Sequence, residues 1–251
     1  MHPNSKIYFA SDFHLGIPDY EKSLEREKLL VKWLEMVSKD AKEIYLMGDL
    51  FDFWFEYKHS IPKGFTRFLG KLANICDSGI AVHLFTGNHD MWMFGYLEKE
   101  LGVNIIRQPI DIEINGKLFH LGHGDGLGPG DKGYKMVKKV FASKICQWLF
   151  ARIHPNTGIT IANFWSKRSR LQEKQIPEFM GEEKEWLIYY CKEKLNEKDY
   201  DFFIFGHRHV PIEHLFKNGS KYINLGDWIN HKTYGVYNNG HLELMKFNSS
   251  N

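Results

Sequence analysis

Apolar runs and amphipathic stretches alternate along the first part of the chain. "KIYFA" (Lys6 to Ala10) reads as a short buried strand. Residues 21 to 39 place Leu30, Trp33, Leu34 and Val37 on one helical face. "EIYLM" (Glu43 to Met47) is a second strand, and residues 65 to 77 are helical, with Phe65, Phe68, Leu69, Leu72 and Cys76 in register. "IAVHLF" (Ile80 to Phe85) is a third strand. This βαβαβ order predicts a parallel sheet with covering helices.

Further on the pattern changes. "DIEIN" and "GKLFHL" predict a hairpin about Asn115-Gly116, a favoured two-residue turn. After a helical middle come "FFIF", "KYINL", "YGVY" and "HLELM" with short links. Crossovers mixed with hairpins predict an α/β fold of two packed sheets flanked by helices, a layered sandwich, within one domain spanning residues 1–251. The terminal "NSSN" reads as a frayed tail.

The middle, about 132–198, interrupts the strands as a helical insertion. "YKMVKKVFASKICQWLFARI" sets Tyr134, Val137, Phe141, Ile145 and Trp148 on one helical stripe, with Lys135, Lys138, Lys139 and Lys144 largely off it. "SKRSR" (Ser166 to Arg170) adds basic residues. A core-facing helix with solvated lysines, a lid, and a surface that meets lipid all fit this pattern.

Composition narrows the class. The 251 residues are 43% hydrophobic and 25% charged, which suits a packed core. A net charge of +2 leaves no global footprint for nucleic acid, and no nucleic-acid partner is expected. Cys76, Cys146 and Cys191 are far apart and form no CxxC, so they read as reduced, intracellular thiols. There is no signal-peptide core, and no apolar run of about 18 residues to make a spanning helix.

The 13 histidines matter because many stand just after predicted strands. "SDFH" follows the first strand (Asp12, His14), "GDLFD" the second (Asp49, Asp52) and "GNHD" the third (Asn88, His89, Asp90). "GHGD" follows "KLFHL" (His123, Asp125), and "GHRH" follows "FFIF" (His207, His209). Ligands of open α/β folds bind at strand carboxyl ends, so these tips predict one site. Imidazole with carboxylate and amide oxygen suits Mn²⁺, Fe, Zn²⁺ or Co²⁺, whereas the absence of thiolate disfavours a structural zinc knot. Asp12-x-His14 and His207-x-His209 are expected to point each pair to one side of an extended segment.

Seven donors, Asp12, His14, Asp49, Asn88, His123, His207 and His209, exceed one tetrahedral ion. They fit two ions about 3.5–4 Å apart that share a carboxylate, for which Asp49 is the central member. A lone DxH or HxH is weak; the ordered set is not. Asp52 is expected to orient a neighbour, and Asp90 and Asp125 to serve as turn, cap or supporting residues. His59, His83, His120, His154, His214 and His231 read as core or surface histidines.

The ordered blocks "DFH…GDLFD…GNHD…GHGD…GHRH" resemble the five-block signature of the calcineurin-like metallophosphoesterases, over Asp12 to His209. Within that superfamily, "SDFHLG", "GDLFDFWFE" and "HGDGLGPGDKGY" followed by a helical insertion before "FGHRHVP" are most similar to the UDP-2,3-diacylglucosamine diphosphatase family of lipid A biosynthesis. The resemblance implies a four-layer αββα sandwich, two divalent ions (often Mn²⁺, with Fe or Zn accepted) and a helical lid over an acyl-chain groove. It implies Asp12, His14, Asp49 and His209 on one ion and Asp49, Asn88, His123 and His207 on the other.

It also implies that Asn88 and His89 act on the phosphate beside His207. Asp131 and Tyr134 match a segment on the sugar side, and Ser166, Lys167 and Lys174 match lid contacts. The implied reaction gives UMP and 2,3-diacylglucosamine 1-phosphate (lipid X) on the cytoplasmic face of the inner membrane, with the protein held there peripherally. Well-known members of that family carry Arg at this position, whereas this chain has His89, as general phosphoesterases have His. The rival readings are therefore a metallophosphoesterase with a soluble phosphodiester, nucleotide or phosphoprotein substrate, and a non-catalytic metal-binding scaffold. Retention of all seven donors argues against the scaffold.

Overall fold

The computed structural model describes residues 6–129, 132–172, 178–179 and 181–248. The first strand, β1 (Lys6–Ala10), leads to helix α1 (Tyr20–Val37), whose start is capped by the Asp19 carboxylate accepting from Lys22 N at 2.8 Å. Strand β2 (Ala41–Leu46), helix α2 (Thr66–Asp77), strand β3 (Ala81–Phe85), helix α3 (Tyr96–Leu101) and strand β4 (Asn104–Ile106) follow. Strands β1 to β4 are parallel neighbours, as crossover helices require.

Strands β5 (Ile110–Ile114) and β6 (Lys117–Leu121) form the expected hairpin, with Asn115 at φ 51° and Gly116 at φ 74°. Two left-handed central residues match the twist of the flanking strands. The insertion then supplies α4 (Lys132–Ala142), α5 (Lys144–Phe150) and α6 (Pro155–Gln172). Helix α7 (Trp186–Glu197) leads back to β7 (Phe202–Phe205), β8 (Pro211–Leu215), β9 (Lys221–Leu225), β10 (Thr233–Asn238) and β11 (His241–Lys246).

One sheet has the order β11-β10-β1-β2-β3-β4 and the other β5-β6-β7-β9-β8. Between them lies an apolar layer that includes Phe9, Tyr45, Phe85, Phe119, Ile204 and Tyr237. The outer face of the first sheet is covered by α1 and α2 through Leu30, Trp33, Leu34, Phe68 and Leu72. The outer face of the second is covered by α7 through Leu187, Ile188 and Cys191. This is the four-layer sandwich.

Three elements escape the hydrophobic pattern. Strand β4 has only three residues, and α3 only six. Strand β8, "PIEHL", is an edge strand opening on Pro, where a missing N–H is tolerated. The stretch expected as one helix from Tyr134 to Ile153 is two: Ser143 sits at φ −67°, ψ 129° and ends the stripe. Helix α7 lies within the bounds read as insertion, but it packs as the outer layer of the second sheet.

Candidate active site

Five of the seven expected donors sit on left-handed backbone. Asp12, His14, Asp49, His207 and His209 have φ of 57°, 44°, 54°, 67° and 56°. Such backbone costs on the order of 1–3 kcal/mol per residue and persists where surrounding structure enforces it. This corrects the expectation of extended D-x-H and H-x-H segments: kinks, not strand alternation, bring each pair inward. The residue between each pair turns the other way. Phe13 is buried in the core beneath α1, and Arg208 pairs with Glu185 at 3.0 Å.

Neighbouring loops lock these kinks. Asp12 N donates to Gly48 O (3.1 Å), His14 N to Asp49 O (2.9 Å) and Gly206 N to His123 O (2.8 Å). Glycines permit the approach: a Cβ on Gly87 would collide with the Asp49 carboxylate, and one on Gly206 with Ser11 and Asp12.

The donors converge in two groups that share Asp49. Asp12, His14, Asp49 and His209 form one, and Asp49, His123 and His207 the other; within each, the ligand atoms lie within 4.8 Å of one another. Asp49 Oδ1 accepts from His89 N at 2.9 Å. Its Oδ2 is 3.7 Å from His14 Nε2 and 3.3 Å from His123 Nε2, so one oxygen faces both groups. Asn88 Oδ1 joins the second group, 3.3 Å from His123 Nε2.

The donor set fits divalent ions. Asp12 Oδ2 accepts from His207 N (2.9 Å), but Oδ1 is buried without a hydrogen bond, 3.2 Å from His209 Nε2. His14 Nε2 and His209 Nε2 face each other at 3.0 Å. Unpaired carboxylate oxygen and clustered imidazole nitrogen in a buried site call for a cation.

Supporting groups set the tautomers. His123 Nδ1 lies 2.8 Å from Met47 O and must donate, since a carbonyl only accepts; Nε2 is thereby turned to the site. His89 Nδ1 donates likewise to Asp52 O at 2.9 Å. The Asp52 carboxylate faces His14 Nδ1 at 3.6 Å, and Asp227 faces His209 Nδ1 at 3.6 Å. Each is placed to orient the imidazole it faces. Asp90 is fully buried and accepts from Leu50 N (2.7 Å) and Gly87 N (2.8 Å), tying two site loops together.

The charge balance follows. Burial resists ionisation of Asp49, but the imidazoles of His123, His89 and His14 outweigh it and hold its carboxyl well below the usual range. Burial would lower His123 and His209. Asp49 beside His123, and Asp12 beside His209, overturn that and push both up to about 10. Burial, with the charge on His123, lowers His207 to about 4. Burial and the nearby Asp49 charge push Asp90 up to about 7. The buried carboxylates thus favour positive charge beside them.

The insertion touches the site through two carboxylates. Ser166 donates to Asp52 Oδ2 at 2.6 Å. Tyr134 donates to Asp125 Oδ2 at 2.5 Å, and Lys138 reaches the same oxygen at 2.6 Å. Of the readings the stripe allows, solvated lysines do not hold for Lys138 or Lys135: both are half-buried and turn toward the site loops, Lys135 bonding Gly128 O at 2.5 Å. A groove of about 450 Å³ opens from Asn88 and His89 and runs between Phe53, Trp92, Phe141, Phe150 and Trp165.

Asp131 and Lys174 lie outside the described residues, as does the side chain of Lys167. Asp227 was missed by sequence reasoning, although Gly226-Asp227 follows the strand "KYINL" much as Gly48-Asp49 follows "EIYLM". Its signal was a sixth polar strand tip.

The calcineurin-like phosphoesterase family profile matches residues 5–211. A UDP-2,3-diacylglucosamine hydrolase of Porphyromonas gingivalis is 40% identical, over 96% of this chain and 97% of its own length. Another of that name, from Aeromonas salmonicida, is 27% identical over 88% of this chain and 85% of its own. A family match across most of the chain, together with a near full-length relative, places this protein in the calcineurin-like phosphoesterase family.

Proposed function

We propose that this chain hydrolyses the pyrophosphate of UDP-2,3-diacylglucosamine to UMP and 2,3-diacylglucosamine 1-phosphate, using two divalent ions, with Mn²⁺ the first choice. The observation that carries this reading is the juxtaposition of an Asp49-bridged donor cluster with an aromatic groove opening from Asn88 and His89. The near full-length similarity to a protein of that named activity supports it.

Asp12, His14, Asp49 and His209 would hold one ion, and Asp49, Asn88, His123 and His207 the other. When bound, such ions supply Lewis acidity and a water nucleophile at neutral pH. Asp49 keeps Oδ2 turned toward both donor groups because His89 N occupies Oδ1, and that carboxylate would serve both ions. Asn88 and His89 border the phosphate position. His89, its Nδ1 held by Asp52 O, presents Nε2 to the charge developing on the leaving oxygen. Water adds at the α-phosphorus, the bond to the bridging oxygen breaks, and the sugar 1-phosphate departs. The apolar groove takes acyl chain, and Tyr134 and Ser166 brace the insertion over it as a lid.

The same reading puts the protein on the cytoplasmic face of the inner membrane. Among the described residues, no helix is long and apolar enough to cross a membrane. Ile145, Trp148, Leu149 and Phe164 are exposed on the insertion beside Lys139, Lys144 and Arg152. Exposed apolar side chains accompanied by cations, Arg152 stacked over Trp148 among them, match an anionic lipid interface. A soluble phosphodiester substrate is the second reading, favoured by His89 alone.

Mn²⁺-dependent turnover of UDP-2,3-diacylglucosamine, against UDP-glucose and bis-p-nitrophenyl phosphate with phosphorus detection, separates the two. UMP and the lipid sugar phosphate are expected, with little turnover of the controls. Turnover of the generic diester alone would leave the dimetal site and remove the lipid substrate.

A further inference from the structure

On the far side of the loop that carries Asn88 and His89 lies another cleft, with a basic rim. One lobe, about 180 Å³, reaches from His123 and Asp125 to Arg107, Gln108 and Lys138. The other, about 340 Å³, continues from Thr86, Arg107 and Gln108 to Lys144 and Gln147. Thr86, Arg107, Gln108 and Lys138 line both lobes. Thr86 and Gly87 thus border this cleft, while Asn88 and His89 border the aromatic groove.

The molecule therefore presents three environments in a row: aromatic groove, ligand cluster, basic amide-lined cleft. The substrate proposed above has three parts in the same order: acylated sugar, diphosphate, nucleoside. We infer that the cleft between Arg107-Gln108 and the α4–α5 turn is the binding site for the pyrimidine nucleotide half of the substrate. This rests on the proposed reaction but names a subsite that the reaction alone does not locate.

The side chains are held in place for such a role. Arg107 Nη2 donates to Met93 O at 2.9 Å, and Lys138 is anchored by Asp125. Lys144 and Gln108 stand exposed at the rim. The Gln147 amide nitrogen lies 3.3 Å from Ala142 O and 3.4 Å from Phe141 O, so its Oε1 remains to accept. An acceptor there matches the N3–H of uracil and opposes cytosine, whose N3 also accepts. Donors on the rim, Arg107 and Lys144, suit the carbonyl oxygens of uracil and the ribose oxygens, leaving the phosphate to the donor cluster.

Calorimetric titration of the Mn²⁺-loaded full chain with UMP, CMP and inorganic phosphate tests the assignment. In Arg107→Ala/Lys144→Ala the Kd of UMP is expected to rise about tenfold or more, as loss of charge-assisted hydrogen bonds implies. That of phosphate, held by the ions, is expected to change less than about twofold. Gln147→Ala is expected to erase the preference for UMP over CMP. Equal shifts for UMP and phosphate, or none, would overturn the subsite. If the wild type binds UMP through these residues yet leaves UDP-2,3-diacylglucosamine intact, the lipid reading falls and the nucleotide cleft stands. If it cleaves the lipid while UMP binding ignores the variants, the reverse holds.

Discussion

Helix α1 and the α4–α5 pair carry the same kind of amphipathic pattern and meet opposite fates. Leu30, Trp33, Leu34 and Val37 of α1 are all 0% exposed against the first sheet. Val137, Ile145 and Trp148 of the insertion are 44%, 71% and 56% exposed, while Lys135 and Lys138 turn toward the site loops. A stripe dictates that a helix forms and that something covers its apolar side; it does not say what does the covering. For α1 the cover is a sheet of the same chain. For the insertion we propose substrate acyl chain and membrane. The contrast separates a core that mounts the donors from an insertion whose apolar side is left exposed.

The largest expected effect lies in the core. Asp49→Ala removes the carboxylate shared by both donor groups, and turnover should be lost even in Mn²⁺-supplemented assays. Near wild-type activity there would break the shared-ligand scheme. His89→Ala should retain bound metal, measured by elemental analysis, and slow the reaction by about 10²–10⁴-fold as lost acid–base assistance does. An unchanged rate would leave His89 a structural role only.

The helices themselves give the next contrast. Trp33→Ala should cost about 3–5 kcal/mol in chemical denaturation, the usual result of emptying a buried indole site. Trp148→Ala should change stability by less than about 0.5 kcal/mol, being largely exposed. It should nevertheless weaken co-sedimentation with anionic vesicles, roughly tenfold if the indole is buried in lipid. Loss of stability without loss of vesicle binding would reverse the distinction drawn between the two helices.

The smallest effect is in protons. Asp49 beside His123 and Asp12 beside His209 push these imidazoles up to about 10, favouring their protonated forms at neutral pH, whereas burial lowers His207 to about 4 and favours its neutral form. Ligation requires neutral imidazole, so metal uptake at pH 7 should release protons from His123 and His209. Affinity should rise as pH increases from 7 toward 10. Calorimetry in buffers of different ionisation enthalpy reads this directly; a buffer-independent heat would contradict it.

Much of this was legible in the chain because the core obeys local rules. "KIYFA", "FFIF" and "KYINL" are strands at their expected bounds, and Asn115-Gly116 turns as its composition demands. All seven donors meet because each follows a strand whose carboxyl end faces the same edge. What escaped has physical causes. The left-handed kinks at Asp12, His14, His207 and His209 arise from tertiary hydrogen bonds and glycine clearances, which no local pattern encodes. The inward turn of Lys135 and Lys138 depends on contacts with the loops around Asp125 and Gly128, distant from any helical periodicity.

The central claim is that Asp49 Oδ2 joins two ions in one hydrolytic centre. Anomalous scattering at the manganese edge from Mn²⁺-soaked crystals tests it most directly. The account predicts two peaks about 3.5–4 Å apart on either side of that oxygen. A single peak, or a second ion held away from Asn88, His123 and His207, would contradict it.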